Sequence, residues 1–265
     1  MLTIWTSRCT SVAEPMRGAQ LVSRVSRILK AVSEHPDGLT AAAAAHATGL
    51  TRPTTHRLLA SLAAEGFVDH DVARGRWFLG PELYLLGSLA ADRYDIRDAA
   101  RESVRLLARE TGESAFFSAR RGGETVCLLR EEGSFPVRSF VLYEGVRFPL
   151  GVASAGLAIL SFLPEEEVDA YLEEVDLERK WGPQHGEGPL RERIAATRET
   201  GYAVNPALIL EGSWGMGAAV FDGAGRPAWA LSLTGIESRF RPERRPELGR
   251  LLLEQAHEVS RAFAP

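Results

Sequence analysis

Between residues 52 and 57 the sequence reads Arg-Pro-Thr-Thr-His-Arg, a run whose side chains suit one kind of chemistry. Two guanidiniums, two hydroxyls and an imidazole offer hydrogen bonds to phosphate oxygens. The guanidinium fork also matches guanine O6 and N7 in a DNA major groove. Arg52, Thr54, Thr55, His56 and Arg57 are therefore candidate DNA contacts. Arg74 and Arg76, on either side of Gly75, are a second cationic pair suited to phosphate or to a minor groove. Catalytic groupings are near misses by comparison. GVASAG would need glycine in place of Val152 to make a nucleophile elbow, and Gly215-Met216-Gly217 runs on into Ala218, Ala219 and Val220 without a third glycine. The six histidines, His35, His46, His56, His70, His185 and His257, lack metal-ligand spacing. The sequence reads as a non-enzyme, with no metal or other cofactor expected.

The elements that would carry these cations are legible. Leu21, Val22, Val25, Ile28, Leu29 and Val32 recur at helical spacing, predicting an amphipathic first helix that Pro36 and Gly38 end. An alanine-rich helix follows, with Thr40 as N-cap and Gly49 as its left-handed stop. A third helix opens after Thr51, accepts Pro53 in its first turn, turns Leu58, Leu59 and Leu62 inward and ends at Gly66. The tight turn between the second and third helices is a helix-turn-helix signature. FVDHDVARGRWFLG reads as two short strands joined at Arg74-Gly75, a wing with Arg74 and Arg76 at its tip.

Composition agrees with this placement once charge is read locally. The net charge of −4 is unpromising for nucleic acid. Yet residues 17 to 80 carry eight Lys and Arg against five acids, a balance of +3, and residues 81 to 265 carry 22 against 29, a balance of −7. A phosphate-binding face needs only local positive charge, since screening acts over about 8 Å at physiological salt. The 45% hydrophobic and 25% charged shares are those of an ordinary globular protein. Two cysteines, Cys9 and Cys127, indicate no disulfide framework, and no secretory signal or membrane-length apolar run is present. A cytoplasmic protein without membrane association is expected. Residues 1–18 read as a disordered tail, with Met16 a candidate start.

After a linker helix over residues 81–95, with its break near Asp92 to Asp95, a domain over residues 96–265 is expected. SAFFSARR and ETVCLLREE join through Gly122-Gly123, VRSFVLYEGVRFPL adds strand-like sequence, and a second hairpin turns around Asp222 to Gly225. Helices are expected at ASAGLAILSFL, EEEVDAYLEEV, PLRERIAATRETG and the closing segment. The mixture predicts an α+β fold with an antiparallel sheet. Ser232 and Thr234, two apart on a strand, share one face.

TRPTTHRLLASLAAEGFVDHD and GRWFLG, followed by GVRFPLGVASAGLAILSFLP, ETGYAV and AAVFDGAGRPAWALSLTG, closely resemble the IclR family of bacterial transcriptional regulators over about residues 20 to 262. The resemblance implies a winged helix-turn-helix over residues 19–80, with Thr54, His56 and Arg57 on the recognition helix and Arg52 just ahead. It also implies a GAF-like effector-binding domain whose pocket takes small molecules, often carboxylates. By motif, Ser154 and Ala155 fall at the pocket loop, with Asn205, Gly215, Ser232 and Thr234 around it. Gly151, Leu157, Asn205 and Gly215 depart from the residues common at those positions. With Trp214, Met216 and Trp229 nearby, they suggest a more apolar or aromatic effector. Partners implied are double-stranded DNA with a near-palindromic operator, a small-molecule effector and a second copy of the chain, as a homodimer or a dimer of dimers. A sensor whose winged helix instead contacts protein partners is the alternative, to be separated by the salt dependence of duplex binding.

Overall fold

The computed structural model describes residues 19–91, 96–137 and 141–263. The expected tail and the break at 92–95 lie outside the described residues. The chain divides into two units, residues 1–94 and residues 95–265.

In the first unit α1 (Ala19–Ser33), α2 (Ala41–Thr48) and α3 (Arg52–Ala64) precede a hairpin of β1 (Val68–Asp71) and β2 (Arg76–Leu79). Thr40 caps α2 by accepting from the Ala43 N–H, and Gly49 ends it at φ 66°. Thr51 caps α3 by accepting from the Thr54 N–H. Each such cap is worth about 1 kcal/mol. Ile28, Val32, Leu39, Leu58, Leu59, Leu62, Val68 and Trp77 form the core. Leu21 and Val22 do not join it. They are 53% and 70% exposed. Leu39 and Trp77 exchange backbone hydrogen bonds of 2.9 and 2.8 Å, tying the α1–α2 turn to β2. The unit ends in α4 (Pro81–Ala91), on which Tyr84, Leu85, Leu86 and Leu89 are exposed.

The second unit is a six-stranded antiparallel sheet in the order β5-β4-β3-β8-β7-β6, where β3 is Ser114–Arg121, β4 Glu124–Glu131, β5 Arg147–Pro149, β6 Ala203–Pro206, β7 Ser213–Phe221 and β8 Pro227–Ile236. Gly122-Gly123 forms the tight β3–β4 turn, and Asp222 accepts from the Ala224 and Arg226 N–H groups in the β7–β8 loop. Of the strand-like stretch before Gly151, only β5 is strand among the described residues. A turn at Glu144 and Gly145 interrupts it, and Cys127 pairs with Gly145 and Val146 beside that turn. α5 (Ile96–Thr111) and α10 (Arg245–Arg261) pack one face, with Phe117, Met216, Leu231 and Leu233. The wholly buried α6 (Ser154–Ser161), backed by α7 (Glu165–Glu174), α8 (Leu177–Trp181) and α9 (Glu187–Thr200), packs the other.

Strand alternation then decides what faces α6. Gly215 and Gly217 on β7 and Ser232 and Thr234 on β8 sit opposite one another, Gly215 to Thr234 and Gly217 to Ser232. A Cβ on Gly217 would lie 2.9 Å from the Ser154 carbonyl oxygen and 3.2 Å from the Ala155 nitrogen, so only glycine lets the start of α6 approach the strand this closely.

Candidate functional site

On α3 the capped N-terminus presents Arg52, His56 and Arg57 to solvent, with Thr54 half-buried. Among the described residues neither arginine is bonded to a carboxylate, so an ion pair between Arg57 and Glu65 does not form. Unneutralised guanidiniums on the first turns of a helix can reach phosphates and base edges. His56 also meets Trp77 edge to face at 6.2 Å, which limits how far its ring swings. Thr55 is the correction: its side chain is fully buried and its hydroxyl donates to the Thr51 carbonyl at 3.1 Å. It is a core residue, unable to touch DNA.

The wing also differs from expectation. Four residues, Val72 to Gly75, connect β1 and β2, and Arg76 opens β2 instead of sitting at the tip. Its guanidinium donates to the Gly38 carbonyl at 2.7 Å and the Asp37 carbonyl at 3.3 Å, bracing the α1–α2 turn. Arg74 remains at the tip with a 76% exposed side chain, held only loosely by Asp71 at 3.8 Å. An exposed pair at that distance contributes little and leaves the guanidinium available.

In the second unit Ser154, Asn205, Gly215 and Thr234 line one small cavity with Val141, Leu142, Ala153, Ile209, Ser213 and Trp214. Ala155 and Ser232 lie next to it, outside the lining. The cavity is about 20 Å³, room for roughly one water. Three groups around it point to a polar occupant. The first turn of α6 has no side-chain cap, so its N–H groups lack a side-chain acceptor. Thr234 Oγ1 and Ser232 Oγ are buried without a hydrogen-bond partner among the described residues. Each such hydroxyl costs about 1–3 kcal/mol, and two on one strand face is uncommon in a settled core.

Asn205 has another role. Its side-chain NH2 donates to the Val152 carbonyl at 2.6 Å and its oxygen accepts from the Leu208 N–H at 3.1 Å. It thereby ties the loop before α6 to the loop after β6. A carboxylate there would set acceptor against acceptor, which accounts for the amide. Gly215 is matched to Ser154: a Cβ would lie 3.0 Å from Ser154 Oγ. Met216 and Trp229 alternate to the α10 face and pack there, so they cannot shape this cavity. Trp214 shares that face in part, with Arg245 stacked on its ring at 4.5 Å. The aromatic bulk expected around the effector is thus mostly behind the sheet. Sequence reasoning missed Val141, Leu142 and Ile209, whose loops carry no motif, and Gly217, whose close approach appears only once α6 is packed.

A larger cavity of about 530 Å³ lies between α7, α8 and the β3–β4 turn. Its Arg120 pairs with Glu167 at 3.0 Å and its Glu124 with Arg147 at 3.5 Å, while Glu174, Asp176 and Lys180 also line it. Among the described residues no helix is long and apolar enough to cross a membrane.

Comparison with known proteins agrees with both units. Residues 21–72 match the model of the IclR helix-turn-helix domain, and residues 88–261 match that of the bacterial transcriptional regulator IclR C-terminal domain. The HTH-type transcriptional regulator KipR of Bacillus subtilis is 32% identical over 228 residues, covering 86% of this chain and 90% of that protein. The transcriptional repressor IclR of Escherichia coli is 26% identical over 251 residues, covering 92% and 90%. Among solved structures, an IclR transcriptional regulator from Alicyclobacillus acidocaldarius superposes with a TM-score of 0.78 at 26% identity, covering 92% of this chain and 98% of that one. With both units matched, the chain belongs to the IclR family of bacterial transcriptional regulators.

Proposed function

We propose that this regulator binds a near-palindromic operator as a homodimer or a dimer of dimers, with Arg52, His56, Arg57 and Arg74 reaching the DNA. A small carboxylate at the start of α6 then changes that affinity. The observation that carries the reading is the capped start of α3, where two exposed arginines have no carboxylate among the described residues. One winged helix reads few base pairs, so a second copy supplies the rest of the specificity. The exposed Leu85, Leu86 and Leu89 of α4 and Leu21 and Val22 of α1 offer apolar surface for pairing.

For the sensor half, the effector's carboxylate would accept from the first N–H groups of α6, where the helix dipole favours an anion, and from the hydroxyls of Ser154, Thr234 and Ser232. A cavity of about 20 Å³ admits such a molecule only if the loops carrying Leu142 and Ile209 move apart. The effector therefore acts by selecting that opened arrangement, and shifts DNA affinity only as far as it prefers it. Asn205 positions the two loops.

Genome-wide mapping of bound DNA tests the DNA half. Discrete, roughly palindromic sites are expected, and enrichment of none would overturn it. Fluorescence anisotropy on a recovered site, with and without glyoxylate or pyruvate, tests the sensor half. An unchanged affinity with both, in a protein shown by calorimetry to bind neither, would remove the small carboxylate from the reading.

A further inference from the structure

α9 carries three arginines with different fates. Arg191 contacts Glu165, Asp169 and Glu187, and Arg198 contacts Glu165 at 2.9 Å. Arg193 has only carbonyls, Gly151 at 3.3 Å and Gln184 at 3.0 Å. Burial without a carboxylate pushes its guanidinium down to about 10; His185 is held below the usual histidine range by its own burial first and by the Arg193 charge second.

Arg193 lines a cavity of about 360 Å³ with Thr197, Tyr202, Val204, Trp214 and Arg245. Arg245 likewise has no carboxylate among the described residues. It donates to the Phe240 carbonyl at 2.8 Å and stacks on Trp214. Among the described residues no aspartate or glutamate lines the cavity. Two further donors, Arg193 Nε and Trp214 Nε1, are buried without a partner among the described residues. The volume falls within the range of small-molecule sites, about 300–1,000 Å³.

We propose that this cavity, beside β6 and sharing only Trp214 with the one at the start of α6, is a second ligand site that takes a planar aromatic carboxylate between Arg193 and Arg245. A guanidinium fork matches a carboxylate in two parallel hydrogen bonds. As the carboxylate draws Arg245 off the Trp214 ring, that ring and Tyr202, both on the lining, supply aromatic surface for the ligand's ring. An aliphatic acid would gain the first interaction and lose the second. A neutral aromatic amide would do the reverse.

Calorimetry on the full-length protein, with benzoate as probe, tests this. Saturable binding at one site per chain is expected, with benzamide giving no binding and cyclohexanecarboxylate binding more weakly. R193Q and R245Q, checked by thermal melts, should each weaken benzoate at least tenfold. Should R193Q fail to fold, R245Q carries the test. T234V, which alters only the α6 cavity, should leave benzoate binding unchanged. Absence of saturable binding at millimolar benzoate overturns the proposal. So does loss of binding in T234V with R245Q unaffected, which would put benzoate in the α6 cavity and leave the effector reading standing.

Discussion

The two units hold their unengaged hydrogen-bonding groups in opposite places. On the head, the free capacity is cationic and outside: Arg52 and Arg57 on α3 and a loosely tethered Arg74 on the wing. In the second unit most ion-pairing arginines are engaged, Arg239 and Arg244 with Glu113 and Arg191 with three acids, and the free capacity lies inside, at the Ser232 and Thr234 hydroxyls, Trp214 Nε1 and Arg193 Nε. A polyanion of fixed shape is met by a surface. A small molecule that must be stripped of water is met by buried groups that lack partners until it arrives. Where a protein leaves polar groups unengaged therefore tells which kind of ligand it awaits.

The largest effect that would sharpen this contrast lies at Glu113. Its side chain is 1% exposed and accepts from Arg239 and Arg244, both at 2.7 Å. Glu113→Ala leaves two partly buried cations without their acid and should destabilise the second unit by about 3–5 kcal/mol in urea unfolding. A loss below about 1 kcal/mol would mean these charges are not structural. Next is the double variant Arg52→Ala, Arg57→Ala. Operator affinity should fall about hundredfold or more by anisotropy, at about 1–3 kcal/mol per base-reading arginine. The salt slope should become shallower, while the melting temperature scarcely moves. A large drop in stability instead would make these arginines structural and erase the distinction between the units.

Thr51→Ala, which removes the cap that orients the first turn of α3, should cost the head about 1 kcal/mol in thermal unfolding. The smallest and most telling effect concerns Ser232→Ala. Removing a buried hydroxyl without a partner should leave stability unchanged or raise it by up to about 1 kcal/mol, while weakening the response to a carboxylate effector. A clear destabilisation would mean the hydroxyl has a partner in solution and would undercut the contrast from the other side.

Much of the head was legible because its signals are local. Caps at Thr40 and Thr51, the stop at Gly49 and the leucines of α3 all act within a few residues. Thr55 was legible too, since it stands three and four residues before Leu58 and Leu59 on the same helical stripe. Composition outweighed periodicity in placing it among the contacts. The same holds for Met216, whose alternation with Gly215 and Gly217 puts it on the far face. Other features depend on distant partners. Arg76 is bonded to carbonyls 38 and 39 positions earlier, and Asn205 to a carbonyl 53 positions away. No spacing rule in a single sequence anticipates such bonds, because they exist only once the loops have met.

The two strands at the rims of the large sheet have a consequence for how copies of the chain meet. β5 has three residues and ends in Pro149; β6 has four and ends in Pro206. Short rim strands closed by a residue with no N–H are poor templates for another strand. Continuous sheets running from one molecule to the next are therefore disfavoured, so this acidic unit should stay soluble at the concentrations a regulator reaches when crowded on its target.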